Sequence, residues 1–207
     1  VDRIGDGRFL LSPRNFDQAI VVDRESKEIV ERLGADGDHD TLFEQHNPDW
    51  LVSEAGSPTI LVADSENDRI VEYTKRDGEW EQIWTVGAGQ LSWPRDADRL
   101  PNGNTLITDS LNHRVIEVTP QGKIVWEYYA TWGAYEAERL GTGDESNGPT
   151  MTDQGVSGNY SLTGSAGLIE GTGDTNTFAA TVQNTFAGTP LADAAEEFAV
   201  TWSHVTP

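Results

Sequence analysis

Short apolar runs, separated by clusters of turn-forming residues, recur through the first two thirds of the chain. Ile4, Leu51 and Leu100 hold equivalent positions in three successive copies, at spacings of 47 and 49 residues. A fixed period of 40 to 50 residues is typical of propellers and solenoids. The chain is therefore built from a repeated supersecondary unit.

Each copy continues with three turns, and each turn is followed by an apolar strand. Gly, Asn, Asp and Pro in the turns and β-branched residues in the strands favour antiparallel hairpins. The strand that leads into the equivalent position is counted as the innermost, so each copy supplies four strands, which is one β-propeller blade. The other predicted strands are 9–11, 19–22 and 29–33 in the first copy, 60–62, 70–73 and 81–84 in the second, and 105–107, 115–118 and 124–128 in the third.

The sequence predicts an all-β fold in which residues 1–132 are propeller blades and residues 133–207 are a C-terminal extension. A blade must hide its faces against neighbouring blades around an axis. Closure needs at least about four blades, and a six-bladed propeller is the expectation. Missing blades or other copies of the chain are therefore expected partners. Five large aromatic residues are predicted to pack at strand ends and between blades: Trp84, Trp93, Trp126, Tyr128 and Tyr129.

The extension differs in composition from the blades. Gly, Thr, Ser and Asn dominate residues 141–176, which predicts an ordered loop or a short β-insert, with disorder as the alternative. Residues 178–200 have a loose helical spacing of apolar positions, which predicts one or two short helices.

Charge narrows the setting in which the protein works. Acidic residues outnumber basic ones by 35 to 14, and only Lys27, Lys75 and Lys123 are lysines. Acids dispersed in this way keep a surface hydrated in molar salt, where their repulsion is screened, so an extreme halophile is predicted. An ordinary acidic secreted protein is the alternative. Without a basic stripe to bind phosphates, no nucleic-acid partner is expected.

Cysteine is absent, which excludes disulfides and thiolate catalysis. No apolar run approaches the ~20 residues that span a bilayer. Val1 in place of methionine predicts a processed or excised piece, and the aromatic end from Trp202 to Pro207 predicts a continuing chain, with a membrane anchor beyond it. Asn159, in Asn159-Tyr160-Ser161, is a glycosylation acceptor and fits a location outside the cell or at its surface.

The third copy resembles two propeller families. Asn112-His113-Arg114-Val115 resembles the signature of NHL repeats, and Leu100-Pro101-Asn102-Gly103-Asn104 is similar to a turn in blades of the arylsulfotransferase family. The resemblance covers roughly residues 2–130 and implies a propeller. It also implies transfer of a sulfuryl group between phenols through a histidine, with an arginine gripping the sulfate oxygens and no cofactor.

The resemblance implies His46 and Arg95 as the catalytic pair, since each lies five positions before the equivalent leucine of its copy, at the start of an inner strand. Asn47, Asp96 and Arg114 are candidate ligand contacts. The alternative is that His46 and Arg95 only anchor inner strands by hydrogen bonds to neighbouring blades. No metal site is predicted.

The other histidines are weaker candidates. His113 belongs to a turn of the repeat and is expected to be structural, and His204 has no evident partner. His39 lies in the acidic run from Asp36 to Asp40, where calcium binding and a solvated loop are the alternatives, the solvated loop being preferred.

Two functions remain open from the sequence. The first is an arylsulfotransferase-like enzyme that acts on a small phenolic or anionic ligand at the mouth of the channel. The second is a non-catalytic cell-surface propeller that binds a ligand or assembles into oligomers or filaments.

Overall fold

Short strands joined by tight turns fold onto their neighbours in sequence, as the turn chemistry predicts. The computed structural model describes residues 1–141, 143 and 145–166. The predicted helices within 178–200, His204 and the aromatic end lie outside the described residues.

Three sheets each contain four strands that are hydrogen-bonded in sequence order, and every pair of neighbours within these four is antiparallel. The first contains β1 (Asp2–Gly5), β2 (Arg8–Leu11), β3 (Gln18–Asp23) and β4 (Ile29–Gly34). The second contains β5 (His46–Val52), β6 (Pro58–Asp64), β7 (Arg69–Arg76) and β8 (Glu79–Val86). The third contains β9 (Pro94–Arg99), β10 (Thr105–Asp109), β11 (Arg114–Val118) and β12 (Ile124–Tyr129). These sheets confirm the three predicted β-propeller blades.

The same turn recurs between the second and third strands of each blade. It ends on a residue in the left-handed conformation, namely Asp17, Asp68 or His113, with φ of 53°, 50° and 55°. Asp is among the few residue types that adopt this conformation readily. The Asp17 carboxylate accepts the Glu44 N–H at 2.9 Å, and the Asp68 carboxylate accepts the Trp93 N–H at 2.7 Å. The first two turns are thereby tied to the residues that lead into the next blade.

One apolar cluster lies between the first and second blades, so each blade covers a face of the other. Its buried members are Leu10, Ala19, Val21, Leu33, Leu42, Ile60, Val62, Val71 and Tyr73. Trp84 is fully buried, and its Nε1–H donates to the Pro120 carbonyl at 2.8 Å. The packing prediction is confirmed for Trp84 but wrong for Trp126 and Tyr128, which are 38% and 54% exposed on the last strand of the third blade.

The chain after β12 returns to the blades. A short strand, β13 (Gly158–Tyr160), pairs in parallel with β8 and becomes the fifth strand of the second sheet. Val1–Thr163 form one compact unit, which includes the first part of the predicted extension. Within the described part of the chain, no helix has the length and hydropathy needed to cross a bilayer.

Candidate functional site

His46 and Arg95 are in direct contact across the junction of the second and third blades. His46 is the first residue of β5 and Arg95 the second residue of β9, and these two strands lie against each other. The Arg95 guanidinium donates from Nη1 to Nε2 of His46. The histidine is only 8% exposed, and the arginine is half-buried. His46 and Arg95, which occupy the same position in successive copies of the repeat, are therefore in contact.

The hydrogen bonds around His46 define its tautomer. Because a guanidinium can only donate, Nε2 must accept from Arg95. The Ser65 hydroxyl donates to the Pro94 carbonyl at 2.6 Å, so it receives the Nδ1–H of His46, 2.8 Å away. His46 is thus a neutral ring whose Nε2 lone pair is engaged by Arg95.

Burial is the main cause that lowers the pKa of His46 to about 4, and the positive charges of Arg95 and Arg14 lower it further. An unperturbed histidine titrates near ~6.5. The unfolded chain therefore binds this proton at higher pH than the folded chain does. Acidification from about 6.5 to about 4 should consequently lower the free energy of unfolding through this group.

We expect the His46 ring to stay neutral down to about pH 4, which an NMR titration of the histidine ring resonances measures directly. A His46→Gln variant assigns the resonance by its disappearance. A His46 midpoint near the ordinary histidine value would contradict the buried, arginine-bonded environment.

Two aromatic rings stand against the arginine. The central carbon of the Arg95 guanidinium lies 3.7 Å from the centre of the Trp93 ring and 4.4 Å from that of Tyr135. Both are cation–π contacts. The His46 ring meets each of these aromatic rings edge to face, at a centroid distance of 6.2 Å. The site is therefore a cation and an imidazole beside two aromatic surfaces.

Trp93 adopts an unusual backbone conformation to take this place. Its φ is 51°, which is rare for a bulky side chain. The Asp68 carboxylate holds its N–H, and its indole Nε1–H donates to Glu66 at 3.0 Å. The sequence had assigned Trp93 to packing only. Its position two residues before Arg95 was the available signal for its place beside the arginine.

Arg95 has no acidic partner in the part of the chain that the structure describes. Among the described residues, no carboxylate oxygen lies within 4.0 Å of its guanidinium, and its Nε is buried without a hydrogen-bond partner. Arg69, Arg99 and Arg114, in contrast, each form an ion pair with a buried carboxylate. An uncompensated guanidinium is unexpected in a chain with 35 acids and 14 bases.

The other candidate ligand contacts divide between two places. Asn47 donates from its amide to Asp96 at 3.2 Å, and both residues line a cavity beside the His46 and Arg95 pair. Arg114 lies elsewhere, bonded to Asp109 at 2.7 Å and to Glu127 at 3.1 Å. Arg69 makes the equivalent bond to Asp64 in the second blade, so the Arg114 pair is a repeated structural contact.

The cavity has a volume of about 280 Å³ and is strongly acidic. Alternation along β9 explains part of this character, because Asp96 and Asp98 face one side of the strand and Arg95 and Arg99 the other. Burial raises the pKa of Asp49, Asp96 and Asp98, and neighbouring carboxylates raise that of Asp98 further. The acidic groups that line the cavity are Asp2, Asp49, Asp96, Glu136 and Glu145.

The remaining candidates lie on the surface. Asn159 is exposed on β13. His39 stacks on Phe43 at 3.9 Å and lies 3.4 Å from the Asp17 carboxylate. The acidic side chains from Asp36 to Asp40 are exposed, in keeping with a solvated loop.

No protein-family model matches the sequence, and no curated protein matches it. Among solved structures, the chain is similar to virginiamycin B lyase from Staphylococcus aureus, with 16% identity over 64% of this chain and 42% of that one, at a TM-score of 0.43. A streptogramin B lyase structure is 20% identical over 64% of this chain and 40% of that one, at a TM-score of 0.43. The periplasmic gluconolactonase of Pseudomonas aeruginosa is 15% identical over 62% of this chain and 38% of that one, at a TM-score of 0.41. The chain spans about two fifths of the length of these structures.

Proposed function

We propose that this chain is the ligand-binding part of a β-propeller and that Arg95 holds the anionic group of a small aromatic ligand, such as an aryl sulfate. The observation that supports this proposal most strongly is that the Arg95 guanidinium has no carboxylate partner among the described residues. The two aromatic rings beside it offer apolar surface for the rest of such a ligand. We further propose that the protein works in concentrated salt outside the cell, because dispersed acidic residues suit a surface in molar salt.

The physical argument begins with the geometry of the guanidinium. Its N–H groups lie in one plane and match the spacing of two sulfate or carboxylate oxygens. Trp93 and Tyr135 contact it through their ring faces, which leaves hydrogen bonding to the plane of the group. The acidic shell of the protein repels anions at low ionic strength, and molar salt screens that repulsion.

Sulfuryl transfer is the stronger form of this proposal. Nε2 of His46 would attack the sulfur, forming an N–S bond while the S–O bond to the phenol breaks and the phenolate leaves with the electron pair. The low pKa of His46 keeps the ring neutral for such an attack. Arg95 engages the same Nε2 lone pair and would first have to transfer its hydrogen bond to the sulfate. The geometry therefore supports binding more directly than transfer.

We expect 4-nitrophenyl sulfate to bind in molar KCl, with a change in tryptophan fluorescence. Arg95→Met should weaken binding roughly tenfold or more, because the ligand loses charge-assisted hydrogen bonds. Arg76→Met is the matched control, since Arg76 is exposed and pairs with Glu81 away from the candidate site. Isothermal titration calorimetry gives both affinities.

Equal binding by wild type and Arg95→Met would overturn the proposal. Turnover is measured in the same samples as release of 4-nitrophenolate with phenol as acceptor. Release that is lost in His46→Gln and retained in His39→Gln would support transfer. Binding without release would restrict the function to ligand binding.

A further inference from the structure

The three inner strands carry aspartate at one equivalent position of the repeat. Asp2, Asp49 and Asp98 each lie two residues before the equivalent Ile4, Leu51 or Leu100. They stand on β1, β5 and β9, one from each blade. Equivalent positions of neighbouring blades lie side by side around an axis, so the repeat directs three carboxylates to one region.

The structure brings two of these carboxylates, together with that of Glu145, within reach of a single ion. One oxygen each from Asp2, Asp49 and Glu145 lie within 4.8 Å of one another. In the chain, 47 residues separate Asp2 from Asp49, and 96 residues separate Asp49 from Glu145. They line the acidic cavity described above. Oδ2 of Asp49 accepts the Ser146 N–H at 2.9 Å, which fixes the orientation of that carboxyl group.

Asp98 gives a second and independent indication. Its side chain belongs to a residue that is only 3% exposed, and its Oδ1 has no hydrogen-bond partner. The charges that act on its carboxyl group come from Asp96, Asp49, Glu145 and Glu136, all of which line the cavity. A buried carboxyl group under the influence of four other acidic groups lacks the compensation that burial of charge requires.

Positive charge is scarce around this cavity. Among its lining residues in the described part of the chain, the amino group of Val1, 3.8 Å from Asp2, is the sole cationic group. Arg95 and Arg99 project from the opposite side of β9, toward His46 and Glu72. Among the described residues that line the cavity, negative charge is therefore gathered without a cationic side chain.

We propose that this cavity binds a divalent cation of the calcium type, with Asp2, Asp49 and Glu145 as ligands and Asp98 as the buried charge that the ion neutralises. Calcium takes about six to eight oxygen ligands at about 2.3–2.6 Å in a flexible geometry, which suits carboxylates from three separate segments. Magnesium demands a stricter octahedron and keeps several waters. Zinc sites are built mainly from histidine and cysteine ligands, and neither residue type lines this cavity.

A bound ion would join β1, β5 and the segment after β12. Its effect is therefore expected in stability as well as in binding, because an ion that binds only the folded chain raises the midpoint of thermal unfolding. The inference does not rest on the proposed function, since neither His46 nor Arg95 lines this cavity.

The test titrates the full chain, freed of metal with a chelator, with CaCl₂ at constant high ionic strength set by KCl. We expect one ion per chain by calorimetry and a saturable rise in the unfolding midpoint. Asp98→Asn should weaken calcium binding at least about tenfold, because asparagine cannot supply the carboxylate whose charge the ion neutralises. Asp77→Asn is the matched control: it makes the same change of charge at an exposed turn residue whose φ of 50° asparagine tolerates.

The outcomes separate cleanly. No calcium-dependent shift in the wild type, or an undiminished shift in Asp98→Asn, would overturn the site. A shift of equal size with MgCl₂ would overturn its calcium character. Glu145→Gln provides a second variant at an exposed position, and its calcium affinity should fall at least about tenfold as well.

Discussion

Glu72→Gln should lower the free energy of unfolding by about 3–5 kcal/mol, the usual cost of removing one partner of a buried ion pair. Glu72 on β7 and Arg99 on β9 are both fully buried and 2.8 Å apart. The other oxygen of Glu72 accepts the Met151 N–H at 2.7 Å. The substitution would leave the Arg99 guanidinium buried without a counter-charge, at the contact between two blades and the returning segment.

Urea unfolding at constant salt and neutral pH measures this loss. Glu81→Gln is the matched control because its partner Arg76 and Glu81 itself are 53% and 55% exposed. Exposed pairs contribute roughly 0–1 kcal/mol, so this variant should stay close to the wild type. Equal effects of the two substitutions would mean that Glu72 and Arg99 do not form the buried contact between blades.

Gly148→Ala should detach the returning segment from the third blade and lower the free energy of unfolding by roughly 2–3 kcal/mol. A Cβ at this position would lie 1.9 Å from the Leu100 carbonyl oxygen. That backbone cannot yield easily, because the N–H groups of Asn147 and Gly148 both donate to the Arg99 carbonyl at 3.0 Å. The methyl group and these hydrogen bonds cannot coexist.

Hydrogen exchange of the Asn147 and Gly148 amides, together with urea unfolding, measures the result. Gly133→Ala is the control, since the nearest atom to its added Cβ is 3.6 Å away, an ordinary contact. Unchanged protection of both amides in Gly148→Ala would show that the segment lies farther from Leu100 than the structure places it.

The repeat made most of the blade architecture predictable. Turn residues and β-branched runs act locally, so the predicted strands at 60–62 and 70–73 fall inside β6 and β7, and the others fall likewise inside observed strands. The contact between His46 and Arg95 could also be read from the sequence. Residues at the same offset in neighbouring blades become neighbours in space, and both stand five positions before the equivalent leucine.

Contacts made by residues outside the repeat could not be predicted from the repeat positions. Tyr135 lies after the third blade, where no repeat offset indicates its spatial neighbours, so its contact with Arg95 depends on the path of the returning segment. The same holds for Glu145, which joins Asp2 and Asp49 from outside the repeat. The three equivalent aspartates, in contrast, can be recognised when the three copies of the repeat are aligned. Exposure of Trp126 and Tyr128 was unpredictable because apolar content alone does not show whether a neighbouring blade covers a face.

The most direct measurement of the proposed function is a crystal structure of the chain grown in molar KCl with 4-nitrophenyl sulfate. We predict sulfate oxygens within hydrogen-bond distance, about 2.7–3.2 Å, of the Arg95 guanidinium, with the nitrophenyl ring near Trp93 and Tyr135. A ligand bound elsewhere, or an Arg95 guanidinium paired with a carboxylate of the protein, would contradict the account.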